Sequence, residues 1–264
     1  MVRLKEKMNL SIIVPSLGSE LASEKLLILA QTVERYKEIE LIVVVPENYK
    51  GCMESEDYSM ILVKSKGKIY AAMNEGIRHA SGKWLYFCGD TDTPYIQNLR
   101  SVIGEIGDIL NSWEIVVATG IVQVGKKLRE AKIDNYKQLL IAIERNPTHH
   151  QAIIYKKNFV ISLGMYDENY TALADYKLNL EARRVIKEQK DLYCHQTNKI
   201  FGKWDIETPG ISMRRRRKNY QESYNAKCGH LNNWAFRLLA IGVEVLTYLI
   251  GSAKTFIENN NFRD

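Results

Sequence analysis

The sequence predicts an α/β fold, with a mostly parallel central sheet flanked by helices and a helical C-terminal extension. Three observations predict it. Short β-branched apolar runs alternate with segments whose apolar residues recur at helical spacing, the rhythm of βαβ units. Two of the runs, Leu10-Ser11-Ile12-Ile13-Val14 and Leu41-Ile42-Val43-Val44-Val45, are closed by prolines at 15 and 46 and read as buried strands. A third, Trp84-Leu85-Tyr86-Phe87-Cys88, empties into Gly89-Asp90-Thr91-Asp92, which sets two carboxylates on the loop after a strand, where such folds hold their chemistry.

The elements follow in order. After the first strand, Leu21, Leu26, Leu27, Leu29, Ala30 and Val33 predict a helix over Glu20 to Lys37. Met60 to Val63 reads as a short strand after the one at 41–45. Ile69 to Ala80 reads as a helix stopped by Gly82, and Trp84 to Cys88 as the next strand. Pro94 to Leu110 is expected to be helical and Glu114 to Thr119 extended, with Val122 to Val124 and Gly125 marking a turn between antiparallel partners. A helix over Asn135 to Glu144 stops before Pro147. Gln151 to Tyr155 then reads as a strand and Lys156 to Ser162 as a short helix. In Asp175 to Lys190, a longer helix, Tyr176, Leu178, Leu180 and Val185 can face the sheet. Ile211 to Lys227 reads as a basic helix or loop, and Leu231 to Ile250 is the most apolar stretch of the chain.

With 264 residues, 45% of them hydrophobic, the chain can build a substantial core. Its net charge of +6 is regional, because Arg214, Arg215, Arg216, Arg217 and Lys218 are consecutive. No stacking aromatics are interleaved with that run and no recognition motif accompanies it, so nucleic acid is not an expected partner. The four cysteines, at 52, 88, 194 and 228, lie far apart without CxxC spacing, which speaks against a zinc site or a disulfide framework. The apolar stretch after Arg3, Lys5 and Lys7 is too short for a secretion signal, so a cytoplasmic setting is expected.

Two aspartates separated by one residue on a loop can converge on a divalent cation, Mg²⁺ or Mn²⁺, which in turn bridges the diphosphate of a nucleotide substrate. The same pair also reads as an ordinary solvated turn. What distinguishes it here is an ordered series of further motifs. Ser11-Ile12-Ile13-Val14-Pro15-Ser16 is followed by Ile69-Tyr70-Ala71-Ala72-Met73-Asn74-Glu75-Gly76-Ile77 and then by the Asp-x-Asp segment. His150-Gln151, Gly164-Met165-Tyr166-Asp167, Ala174-Asp175-Tyr176 and Gly210-Ile211-Ser212 complete it. Over residues 9 to 212 this series resembles the inverting GT-A glycosyltransferases of family 2, particularly small bacterial members that build surface polysaccharides. The sequence departs from the family at Pro46-Glu47-Asn48-Tyr49-Lys50-Gly51, where relatives carry Asp-Gly-x-Ser-x-Asp-Gly, at Lys66-Gly67-Lys68, and at Ala71, which replaces an aspartate.

The resemblance implies a GT-A fold, a Rossmann-like mostly parallel sheet, over residues 1–212. The nucleotide-sugar half would span about 1–120 and the acceptor half about 121–212, with 213–264 as the basic and apolar helical extension. It implies sugar transfer from a nucleotide-sugar donor, with a UDP-sugar first in expectation, to a glycan or polyprenyl-linked acceptor. Asp92 and Asp90 would ligate the metal. Pro15, Ser16, Glu47, Lys66, Lys68, Asn74 and Asp90 would line the donor site, with Asn74 also readable as architectural. Asp175 would be the general base, with Asp167 and Glu168 as nearby competitors and a helix cap as its structural reading. His150 and Gln151 fall on the acceptor side, and His149 reads as a loop residue. Two other classes stay open: a noncatalytic nucleotide-sugar-binding scaffold, suggested by the altered 46–51 segment, and phosphoryl transfer with Asp90 as nucleophile.

Trp234 to Ile250 is nearly long enough to cross a bilayer, but Arg237 and Glu244 interrupt it. These charges, seven residues apart, share a helix face. An interfacial helix with Trp234, Phe236, Leu238, Leu239 and Leu249 in lipid, on the inner face of the plasma membrane, is one expectation. Packing on the catalytic domain or on a second copy in a homo-oligomer is the other.

Overall fold

The structure, a computed structural model, describes residues 9–50, 60–108, 114–131, 133, 136–144, 149–205 and 216–260. Cys52, Asn135, Pro147, Gly210-Ile211-Ser212, Arg214 and Arg215 lie outside the described residues. The described strands form one sheet in the order β3-β2-β1-β4-β8-β6-β9-β5, with β7 pairing on β6.

Four strands make its parallel part: β1 (Leu10–Pro15), β2 (Ile39–Pro46), β3 (Met60–Ser65) and β4 (Trp84–Phe87). Between them run α1 (Glu20–Val33) and α2 (Ile69–His79). Side chains of successive strand residues point to opposite faces, so β1 sends Ile13 to one face and Ile12 and Val14 to the other. The first face is covered by α2, by α6 (Ala174–Glu188) and by residues of the C-terminal helices. The second is covered by α1 and α3 (Ile96–Asp108). Three layers result, with the sheet buried on both sides. α1 begins at the cap Ser19, whose hydroxyl accepts from the Ala22 amide at 3.3 Å. It ends four residues before Lys37, where turns through Tyr36 lead into β2.

β8 (Ile153–Lys156) runs antiparallel to both β4 and β6 (Glu114–Val124), which returns in a hairpin to β7 (Lys127–Glu130) through the expected turn at Gly125. Two short helices, α4 (Gln138–Ile143) and α5 (Lys157–Ser162), stand where helices were expected. β9 (Leu192–Trp204) was not expected at all. It pairs parallel with β6 and, at its end, antiparallel with β5 (Thr93–Pro94). Its sequence is polar, with only Cys194, Phe201 and Gly202 buried, so periodicity could not reveal it; the pairing comes from β6.

The extension is a hairpin of two helices, α7 (Arg216–Cys228) and α8 (Trp234–Asn260). It packs on the body through Ala226, Leu231 and Ala240. Glu244 is buried on the inner face of α8, where its carboxylate accepts from Lys227 Nζ at 2.6 Å and Ser223 Oγ at 2.7 Å. Phe236 also turns inward. The acid anchors the helix, and Phe236, expected among the outward residues, is instead packed against the core.

Candidate active site

Topology delivers the site. Because β1, β2, β3 and β4 are parallel, their ends Ser16, Glu47, Lys66 and Asp90 share one edge of the sheet. β8 is antiparallel to β4, so the start of β8, preceded by the 3₁₀ turn His150–Ala152, comes to that same edge. β9 runs parallel to β6, and β6 opposes β8, so the end of β9 at Trp204 and Asp205 arrives there too. α6 leads back toward β9 and starts at this edge with Asp175 in its first turn.

The aspartate turn is tightly held. Ser16 Oγ donates to Asp90 Oδ2 at 2.7 Å, and the Gly18 amide donates to Ser16 Oγ at 3.0 Å. Asp92 Oδ2 accepts from the Gly89 amide at 2.7 Å and from the buried Gln151 side-chain amide, while its Oδ1 accepts from the Asp205 amide at 2.9 Å. Gly89 is required, since a Cβ there would meet Asp92 Oδ2 at 2.5 Å. Burial pushes the Asp92 carboxyl up. The amides of Asp205 and Gly89, the His150 charge and the Gln151 amide oppose that shift. Lys25 from α1 reaches Asp205 Oδ2 and the Thr91 carbonyl oxygen, each at 2.8 Å, and ties the turn to the end of β9.

Asp175 lies beside this turn, with its Oδ2 3.7 Å from His150 Nδ1. Behind it, Glu222 of α7 is buried and accepts four hydrogen bonds: from the Thr171 amide (2.8 Å) and hydroxyl (2.7 Å), the Ala172 amide (2.9 Å) and the Leu173 amide (3.0 Å). Leu173, the residue at the start of α6, has no side-chain cap of its own. Glu222 therefore fixes the turn into α6 and puts negative charge near a helix N-terminus, where it is favoured. Tyr70 is buried close by. Desolvation and the Asp175 charge hold its hydroxyl well above the usual range, against the opposing pull of the Ala174 and Asp175 amides. His149 is a ring of the site and not a loose loop residue. It stacks on His150 at 5.1 Å and leans on Trp204 at 5.0 Å, and burial, with the charges of His150 and Arg129, lowers its pKa to about 3.

The structure thus brings Ser16, Asp90, Asp92, His150, Gln151 and Asp175 together. Glu47 and Lys66 pair with each other at 3.5 Å on the exposed rim of the same edge, and Lys68 is exposed at the start of α2. Pro15 ends β1 and is half-buried. Asn74 stands apart from the donor edge. It is buried, and its amide is spent on the Tyr166 backbone and on Glu168, so it acts as architecture. Asp167 is engaged by Lys177. Lys25, Asp205, Trp204 and Glu222 escaped the sequence reading. Glu222 alone left a readable trace, as the one acid between Ile211 and Lys227. A groove of about 1070 Å³ opens near Asn9, Glu38, Lys83, Arg100 and Glu114, at the opposite edge of the sheet from these groups.

Among the described residues, no cluster of three His, Cys, Asp or Glu side chains could hold a metal ion. Mg²⁺ and Mn²⁺ do not require one, since one or two carboxylates with substrate phosphates and water suffice. A carboxylate offers about four lone-pair directions. Asp92 commits three of its own to Gly89, Gln151 and Asp205, whereas Asp90 is engaged by Ser16. The oxygen donor set fits a hard divalent cation, with more capacity on Asp90 than on Asp92.

No protein-family model matches the chain. Curated relatives from Mycobacterium bovis and Mycobacterium tuberculosis, named PGL/p-HBAD biosynthesis glycosyltransferases, are 31% identical over 113 residues. That match spans 42% of this chain and 42% of each relative. Among solved structures, S. aureus TarS 1–349 superposes with a TM-score of 0.59 at 15% identity, covering 94% of this chain and 73% of that one. The mannosyltransferase PcManGT from Pyrobaculum calidifontis, in complex with GDP-Man and Mn²⁺, gives 0.52 at 14%, covering 95% and 81%. Glucosyl-3-phosphoglycerate synthase from Mycobacterium tuberculosis, with Mn²⁺, UDP and phosphoglyceric acid, gives 0.52 at 11%, covering 84% and 79%. These likenesses establish the architecture: the chain has the GT-A glycosyltransferase fold.

Proposed function

We propose that this chain is a metal-dependent inverting glycosyltransferase of the family 2 type. It moves a sugar from a nucleotide-sugar donor, a UDP-sugar first, to a glycan or lipid-linked acceptor in cell-surface polysaccharide synthesis. One observation carries the reading. Gln151, next to the His150 that faces Asp175, donates to Asp92, so the turn suited to a nucleoside diphosphate and the carboxylate suited to an acceptor hydroxyl share one strand edge. The names of the curated relatives support sugar transfer. TarS in complex with UDP-GlcNAc, and the UDP-bound synthase, support a uridine donor, while PcManGT with GDP-Man makes guanosine the competitor to test.

In this reading Asp90 and Asp92 hold Mg²⁺ or Mn²⁺ together with the donor diphosphate. The cation, when bound, offsets the charge that develops on the departing phosphate. Ser16 orients Asp90, and Gln151 with the Gly89 and Asp205 amides fixes Asp92. The acceptor oxygen attacks the anomeric carbon from the face opposite the diphosphate. Its bond to that carbon forms as the carbon–oxygen bond to the phosphate breaks, and its proton passes to Asp175. His150, beside Asp175, orients the acceptor. Titration calorimetry with UDP, GDP, CDP and dTDP, with and without Mn²⁺, tests the donor side. Manganese-dependent binding of one of them supports the reading, and binding of none rejects it.

A further inference from the structure

Among the described residues, the outer face of α8 has no partner. Trp234, Leu238, Ile241, Val245, Leu246 and Leu249 are exposed along it, Trp234 to 73% and Leu246 to 59%. The two charges within this stretch of the helix do not interrupt it. Glu244 is buried against Lys227, and Arg237 folds back so that its Nε donates to the Leu231 carbonyl oxygen at 2.9 Å. An apolar strip along more than four turns of helix exceeds the scattered exposed leucines of an ordinary surface. Among the described residues no helix is long and apolar enough to cross a membrane.

The neighbouring helix indicates what covers the strip. α7 lies antiparallel along α8: Tyr220 Oη donates to the Thr247 carbonyl oxygen at 3.3 Å, and the Tyr220 and Tyr248 rings meet edge to face at 5.6 Å. The start of α7, Arg216-Arg217-Lys218, therefore adjoins the Leu246–Ile250 end of the strip, and Lys218 there is exposed. We infer that α8 lies in the plane of an anionic phospholipid surface, with its outer face among the acyl chains and the cations at the start of α7 against the headgroups. A second copy of this chain is a poor alternative occupant. It brings the same net charge of +6 and the same cations, so charge complementarity favours an anionic surface over a copy.

The test uses the full chain and sedimentation with vesicles of phosphatidylcholine, alone or mixed with phosphatidylglycerol. Binding is expected to the mixed vesicles and to weaken as salt rises. The double substitution Leu238→Glu with Leu246→Glu, at exposed positions, should abolish binding while leaving the melting temperature unchanged. Replacing Arg214 to Lys218 with glutamine should weaken binding by at least tenfold, given roughly fivefold per cation. The inference is overturned if neither vesicle binds, or if both variants bind like the parent. It is also overturned if sedimentation velocity shows a dimer that the leucine variant dissociates, which would make the strip a contact between copies. None of these outcomes depends on sugar transfer.

Discussion

Asp92 and Asp175 stand at the same edge of the sheet and are secured in different ways. Around Asp92, donors converge on the carboxylate itself: two backbone amides and the Gln151 side chain. Before Asp175, fixation reaches the backbone, where Glu222 gathers Thr171, Ala172 and Leu173. A carboxylate that must keep a constant charge and position gains from the first arrangement. One proposed to receive a proton and release it gains from a backbone that holds it in place beside the acceptor.

The sharpest attempt to break this contrast is Asp175→Asn. Turnover should fall by about 10² to 10⁴, while calorimetric affinity for the nucleoside diphosphate stays within about twofold. Weakened donor binding would mean that both carboxylates serve the donor. Asp92→Ala strikes the other member and should lower turnover by roughly a thousandfold. Here donor affinity should fall as well, and the manganese dependence of binding should disappear.

Glu222→Ala tests the backbone fixation from behind. It leaves several buried donors without their acceptor and should cost about 1 to 3 kcal/mol of stability in urea titration. Glu222→Gln, which can still accept, should recover most of that. The smallest effect near neutral pH concerns His149, which lies between the two regions. Its folded pKa of about 3 is far below the ordinary 6.5, so the unfolded chain takes up this proton first. The associated stability is complete above about pH 6.5 and drains as pH falls toward 3, by up to about 1.4 kcal/mol per unit. His149→Phe, which keeps a ring against Trp204, should flatten the change in urea midpoint between neutral and mildly acidic pH.

The edge built by β1 to β4 was far more legible in the sequence than the parts that β8, β9 and the helices bring to it. β1, β2 and β4 are local apolar runs with punctuating residues at their ends, so the edge carrying Ser16, Glu47 and Asp90 could be read without knowing the sheet order. The Asp92 clasp depends on β9, a polar strand whose extended state is imposed by β6 some 75 residues earlier in the chain. Asp205 and Lys25 stand in no motif, and only three-dimensional proximity gives them a role. His149 looked like a loop residue because stacking on Trp204 cannot be inferred from neighbours in sequence. In α8 the apolar content was plain, but the inward turn of Glu244 depended on Lys227, a partner on another helix.

That last pairing decides how the chain can be shortened. Lys227 is fully buried, and its ammonium is matched by an acid seventeen residues further on. Any truncation that stops before Glu244 removes the acid that matches Lys227, on the same helix whose Glu222 steadies the approach to Asp175. The C-terminal hairpin is therefore not a detachable tether: trimming it to improve handling in solution would destabilise the body it packs on.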